Sequence, residues 1–170
     1  QHYLTSLFEP KSVAVIGASE RENSVGSIIF KNILDAGYKG RLYAINPKHE
    51  TIHGVQAHAS IEEIGARVEL AVICTRPQTV PAIVEQCGRS GIKNVIVITA
   101  GFAEAGHSGA ALERKMLEIA RSYNVRVLGP NCLGLIRPTL GLNAPFAKVT
   151  ASGGNLALVS QSGAMCSAVL

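Results

Sequence analysis

The chain has no tryptophan, and aromatic residues make up only 5% of its 170 residues. No aromatic side chains interleave with basic ones, so a stacking platform for single-stranded nucleic acid is missing. Lysine and arginine form no clustered run, and the net charge of +4 (16 basic minus 12 acidic) is mild. That balance suits an anionic small molecule better than a nucleic-acid track. No apolar run reaches the roughly 20 residues of a membrane span, and no signal-peptide pattern opens the chain. A cytoplasmic location is expected. Four cysteines, Cys74, Cys87, Cys132 and Cys166, stand far apart, with no CxxC or Cys/His metal spacing. Each lies in or beside an apolar stretch and is expected as a small buried thiol in a reducing compartment.

The histidines offer no metal or catalytic pattern either. His49 and His53 flank Glu50 without forming HExxH, and His2, His58 and His107 fall in loops or at element ends. Structural or solvated roles are expected for all five. Ser162 sits in Ser160-Gln161-Ser162-Gly163, which is not a GxSxG elbow, and no histidine and acid are placed to support it.

What the chain does contain is an alternation of short apolar runs and helical patterns. Hydrophobic residues make up 47% and glycine contributes 17 residues. Strands are expected at residues 12–17, 42–46, 69–74, 94–99 and 125–129. Their runs are continuously apolar, as parallel strands covered on both faces require. Helices are expected at residues 25–36, 79–88 and 109–123, with a weaker one at 61–64. The first would bury Ile28, Ile29, Ile33 and Leu34 and stop at Gly37. The second would start from Thr79 as N-cap with Pro81 in its first turn, and bury Val80, Ile83, Val84 and Cys87. The third would bury Leu112, Met116, Ile119, Ala120 and Tyr123. The β-α-β order predicts an α/β fold with a doubly wound parallel sheet. Residues 1–150 would form this domain. After the small-residue spacer Ala151-Ser152-Gly153-Gly154, residues 151–170 read as a linker and the start of a second, truncated domain. There, Asn155–Val159 is expected as a strand and Ser160–Ala164 as a strand-to-helix turn.

In such a sheet, ligands bind at the carboxyl ends of the strands. The first end, Gly17-Ala18-Ser19, opens a Gly/Ser/Asn turn that runs through Asn23, Ser24 and Val25 to Gly26. Glycines allow close backbone approach, and the following helix start attracts phosphate. Ser24 would equally serve as an ordinary helix cap. The spacing is not GxGxxG, which counts against NAD or FAD. The second strand ends in Asn46-Pro47-Lys48, where an NAD site wants an acid for the ribose hydroxyls. A lysine there can instead pair with a ribose phosphate. Arg76, in Cys74-Thr75-Arg76-Pro77, is open between the same role and a solvated loop cation. Asn131 is open between holding a ligand amide and bracing its turn.

These residues resemble a known family. Leu7 through Ser19 is similar to the opening of the CoA-binding domain of NDP-forming acyl-CoA synthetases. Asn46-Pro47-Lys48, Thr99-Ala100-Gly101-Phe102, Gly129-Pro130-Asn131-Cys132-Leu133-Gly134 and Ser160-Gln161-Ser162-Gly163-Ala164 match its later landmarks in order. More distantly the pattern resembles the α subunit of succinyl-CoA synthetase and the synthetase-like region of bacterial GNAT-fused lysine acetyltransferases. The resemblance implies a Rossmann-like domain binding CoA or acyl-CoA, with the C-terminal segment opening a flavodoxin-like second domain. It implies that Ser19, Asn23, Ser24 and Val25 contact CoA through the first turn, and that Lys48 meets the ADP portion. Cys74, Thr75, Arg76, Thr99 and Ala100 would line the pantetheine side, and Asn131 would lie near the thiol end. One departure stands out: Glu22-Asn23-Ser24-Val25-Gly26 replaces the family's frequent Pro-x-Lys-x-Gly.

The same resemblance implies that catalysis needs a phosphohistidine in a following ligase domain, and ADP/ATP with magnesium in an ATP-grasp domain. The chain itself is then expected to bind CoA without catalysing. The residues leave open a regulatory acyl-CoA module of a GNAT-type acetyltransferase and a non-enzymatic CoA or redox-nucleotide sensor. The start Gln1-His2-Tyr3-Leu4-Thr5 before Leu7-Phe8 keeps the acetyltransferase fusion in view.

Overall fold

A computed structural model describes residues 4–147 and 150–169. His2, expected to be structural or solvated, lies outside them. The chain forms a short helix α1 (Thr5–Phe8), then β1 (Ser12–Ile16), α2 (Val25–Asp35) and β2 (Arg41–Ile45). A hairpin follows, β3 (Thr51–Ile52) and β4 (Val55–His58). Then come β5 (Leu70–Ile73), α3 (Val80–Arg89), β6 (Asn94–Val97), α4 (His107–Ser122) and β7 (Arg126–Leu128). A second hairpin, β8 (Gly134–Arg137) and β9 (Leu142–Pro145), precedes α5 (Gly163–Val169).

The main sheet has the order β3-β4-β2-β1-β5-β6-β7. All its pairings are parallel except β3 with β4. The chain moves outward from β1 to β2 on one side and from β5 to β7 on the other. The order therefore reverses between β1 and β5, which is where a doubly wound sheet opens its crevice. Alternate strand residues serve two cores. Ala14, Ile16, Ala71, Ile73, Val95 and Val97 pack against α3 and α4 through Val80, Val84, Cys87, Met116 and Ala120. Val13, Val15, Leu70, Val72 and Ile96 pack on the other face against Ile29, Phe30 and Ile33 of α2, with Leu142 and Ala144 of β9. Asn32 ties that second hairpin to α2, donating from Nδ2 to the carbonyls of Pro145 (3.0 Å) and Ala147 (2.9 Å).

The five strands expected within residues 1–150 and the three main helices are present, with ends shifted by one to a few residues. Several expectations need correction. Residues 61–64 hold only a 3-10 turn, Glu62–Ile64. The crossover from β2 to β5 instead passes through the β3–β4 hairpin, whose two-residue turn places His53 at φ +48° and Gly54 at φ +77°. Both positive dihedrals are what a tight hairpin requires. On α2, Phe30 rather than Leu34 joins the buried stripe, and Leu34 is exposed. Thr79 does occupy the N-cap position of α3, but its side chain makes no capping bond: its hydroxyl donates to the Arg76 carbonyl at 2.7 Å, within a 3-10 turn that precedes the helix. Of the four cysteines only Cys87 is buried; Cys74, Cys132 and Cys166 are intermediate. The first two stand at strand ends, where the core gives way to the open end of the sheet.

Asn155–Val159 is not a strand. Leu156 and Val159 are 99% and 92% exposed, and among the described residues no strand pairs with them. An extended segment without a neighbour has no partner for its backbone groups and no face to bury, so apolar composition alone does not make it a strand. The helix expected after it does form, with Ser162 Oγ accepting from the N–H of Met165 at 3.2 Å.

Candidate functional site

The turn after β1 is built by backbone constraints. Gly17 has φ +90°, and an added Cβ would press on Thr75 Cγ2 and the Cys74 carbonyl of the neighbouring strand end. Gly26, in the first turn of α2, packs directly on the Gly17 carbonyl, leaving no room for a side chain. The helix start is thus held against the end of β1. Between these glycines, Ser19 Oγ accepts from the N–H of Arg21 at 3.0 Å, and Asn23 takes a left-handed φ of +60°. Ser24 is the N-cap of α2, and its hydroxyl accepts from the N–H of Ser27 at 3.3 Å. Capping satisfies one free donor and leaves the N–H groups of Val25 and Gly26 at the positive end of the helix dipole.

The end of β2 is fastened to this turn by Asn46. Its Nδ2 donates to the Ala18 carbonyl (2.7 Å) and its Oδ1 accepts from the N–H of Lys48 (2.9 Å). One side chain thereby sets both the loop after β1 and the backbone of Lys48. A second brace comes from the β3–β4 hairpin. The N–H of His53 donates to Glu20 at 2.9 Å, its Nε2 meets Ser27 Oγ at 3.2 Å, and its ring stacks on Phe30.

Beside the switch point lies a cleft of about 490 Å³, within the usual range for small-molecule sites. Gly17, Asn46, Lys48, Thr75, Arg76 and Thr79 line it. Ile61, Ile83 and Gln86 also face it. Lys48 and Arg76 are exposed, and neither is in an ion pair among the described residues. The cleft therefore joins two cations that have no ion-pair partner among the described residues with apolar side chains, a combination suited to a phosphorylated nucleoside.

The remaining candidates gather at the ends of β5, β6 and β7. Thr99 Oγ1 donates to the Thr75 carbonyl at 2.8 Å, and the N–H of Asn131 donates to the Thr99 carbonyl at 3.0 Å. Asn131 is exposed, with φ +52°, following a cis Gly129-Pro130 bond. Cys132 Sγ points at the Val97 carbonyl, 3.4 Å away. Burial pushes the Cys132 thiol up to about 11. The Cys74 thiol is raised further, first by burial and then by Cys132. Neither is a ready nucleophile. Ala100 is exposed at the opening of a loop in which the N–H of Gly101 donates to Glu104 at 2.6 Å, a bond that holds this carboxyl below its usual range.

Sequence reasoning thus found three groups that the fold brings to one end of the sheet. Gly17, Lys48, Thr75 and Arg76 line the cleft. Ala18, Ser19, Asn23, Ser24 and Val25 form the turn above β1, with Ala18 itself buried. Cys74, Thr99, Ala100 and Asn131 lie along the other strand ends, outside the cleft lining. Asn46, Ile61 and Gln86 were missed as site residues, and Ile83, expected in the core, is half-buried in the cleft wall. The spacing of Thr79, Ile83 and Gln86 at i, i+4 and i+7 was the available signal for one helix face.

Known proteins share this sequence and fold. A family model described as a CoA binding domain matches residues 11–138. An acetate–CoA ligase [ADP-forming] of Methanocaldococcus jannaschii is 45% identical over 161 residues, 95% of this chain and 22% of that protein. The acetate–CoA ligase [ADP-forming] I subunit alpha of Pyrococcus furiosus is 42% identical, covering 95% of this chain and 36% of the subunit. Among solved structures, the dinucleotide-forming acetyl-coenzyme A synthetase 1 of Ca. Korarchaeum cryptofilum superposes with a TM-score of 0.92 at 38% identity, over 98% of this chain and 35% of that one. The chain thus spans about a quarter to a third of the length of these relatives. It belongs to the CoA binding domain family and is homologous to the corresponding part of ADP-forming acetyl-CoA synthetases.

Proposed function

We propose that this chain is the CoA- or acyl-CoA-binding part of a cytoplasmic ADP-forming acyl-CoA synthetase of the acetate class. In the whole protein, acyl-CoA, ADP and phosphate would be converted reversibly to the free acid, CoA and ATP. The single observation that carries the CoA reading is Lys48, a cation without an ion-pair partner among the described residues, where an NAD site would need an acid. The family match and the larger size of the relatives support the rest.

In this reading the residues divide the CoA molecule between them. The 3′-phosphate meets Lys48, with Arg76 as a second cation across the cleft. The pyrophosphate lies over Gly17, Ala18 and Ser19 and against the start of α2, at Asn23, Ser24 and Val25. Pantetheine then runs past Cys74 and Thr75 to Thr99 and Ala100, and Asn131 stands near the thiol. The lysine absent from the first turn leaves phosphate contact there to backbone N–H groups. Phosphate transfer and the binding of ADP with magnesium belong to further domains or subunits, so this chain positions the thiol end and does not itself break bonds. Residues 151–170 would lead into the ligase domain. The acetyltransferase fusion gains no support from the synthetase relatives.

Calorimetric titration with CoA, dephospho-CoA and NAD tests the reading. CoA should bind roughly tenfold more tightly than dephospho-CoA, the worth of one charge-assisted phosphate contact. Lys48→Ala should abolish that difference. Tighter binding of NAD, or indifference to the 3′-phosphate, would overturn it.

A further inference from the structure

The cleft contains more than phosphate-binding groups. Its apolar wall, Ile61 and Ile83, can take a flat ring, and its polar side chains differ in what they have left to offer. Both ends of the Asn46 carboxamide are engaged, with Ala18 and Lys48. The Thr79 hydroxyl is held by the Arg76 carbonyl and Thr75 Oγ1. Lys48 and Arg76 are donors only. Ser60 brings a single hydroxyl. Gln86 is different. It lies one turn beyond Ile83 on α3, and among the described residues nothing engages its side-chain amide, which carries a donor and an acceptor side by side.

Adenine presents the matching pattern. Its exocyclic N6 amino group donates, and a ring nitrogen beside it accepts, so one glutamine carboxamide can meet both. We infer that Gln86 is the base-reading residue of the cleft, recognising the adenine N6 edge of the ligand while Ile61 and Ile83 pack on the ring. This rests on the CoA reading above and adds a selectivity that the phosphate contacts cannot supply, because Lys48 and the helix start are indifferent to the base.

The test is titration of this chain with CoA and with 1,N6-etheno-CoA, in which the N6 edge is blocked. Gln86→Leu, of similar size and without the amide, and Lys48→Ala are measured alongside. The unaltered chain should prefer CoA by roughly tenfold, the effect of a two-point contact to one base. Gln86→Leu should bring CoA down to the level of the etheno analogue, while its preference for CoA over dephospho-CoA persists and shows the cleft intact. Equal binding of the two ligands by the unaltered chain, or discrimination that survives Gln86→Leu, overturns the assignment of Gln86 and leaves the CoA reading standing. Failure of the unaltered chain to bind CoA at all overturns both.

Discussion

Gly26 and Gly17 meet backbone to backbone: a Cβ on Gly26 would overlap the Gly17 carbonyl oxygen. This contact sets the start of α2 against the end of β1 and thereby the shape of the proposed phosphate turn. Two effects oppose each other in Gly26→Ala. Alanine raises helix propensity by about 1 kcal/mol. The clash is with backbone that cannot swing aside, and overpacking of this kind costs about 1–3 kcal/mol. The clash should win, so urea unfolding should show a lower midpoint and CoA binding should weaken. A variant more stable than the parent would mean that the turn relaxes freely.

Ser24 separates capping from ligand binding. Ser24→Ala removes the bond from the Ser27 N–H and should cost about 1 kcal/mol of stability. Ser24→Asp keeps a capping oxygen and complements the helix dipole, so stability should hold. Its negative charge should nevertheless repel a pyrophosphate at the same turn. Retained melting temperature with weakened CoA binding is the expected pair of results. Unchanged affinity in Ser24→Asp would leave Ser24 as a cap alone.

Asn46 holds two segments at once, through Ala18 and Lys48. Asn46→Ala should cost about 1–3 kcal/mol, since two backbone groups lose their partner. It should also weaken CoA binding by freeing the backbone of Lys48, although it deletes no charge. The measurements are chemical unfolding and calorimetry. An affinity equal to the parent's would show that Lys48 needs no such positioning.

Alkaline pH should destabilise the fold. Burial raises the Cys87 thiol from 9.0 to about 12, with Glu62 adding to the effect. Burial likewise raises the Tyr38 hydroxyl from 10.0 to about 12, reinforced by Glu69. The unfolded chain therefore loses these protons at lower pH than the folded one. Stability is fully present below pH 9 and is lost as pH climbs towards 12. Thermal unfolding should show a midpoint that falls across this window, with a shallower fall in Tyr38→Phe. A midpoint constant to pH 11 would contradict the assignment.

The sequence by itself determined the strand cores, the three main helices and the place of the glycine-rich turn after β1. Short continuous apolar runs rich in β-branched residues, such as Val13–Ile16 and Leu70–Ile73, suit a parallel strand buried on both faces. Lys48 was legible because the end of a second strand is a fixed address in this topology. The hairpins were not legible: β3 has two residues and so no periodicity, and its turn is recognisable only from dihedrals. The strand expected at Asn155–Val159 had the right composition but no neighbour among the described residues, and strand pairing is not a local property. Only the tertiary structure decided that Asn46 reaches Ala18, 28 residues away, and that Ile61 and Gln86 line one cleft with Lys48. A chain spells out which faces are apolar, but which polar groups meet depends on where distant segments are brought to rest.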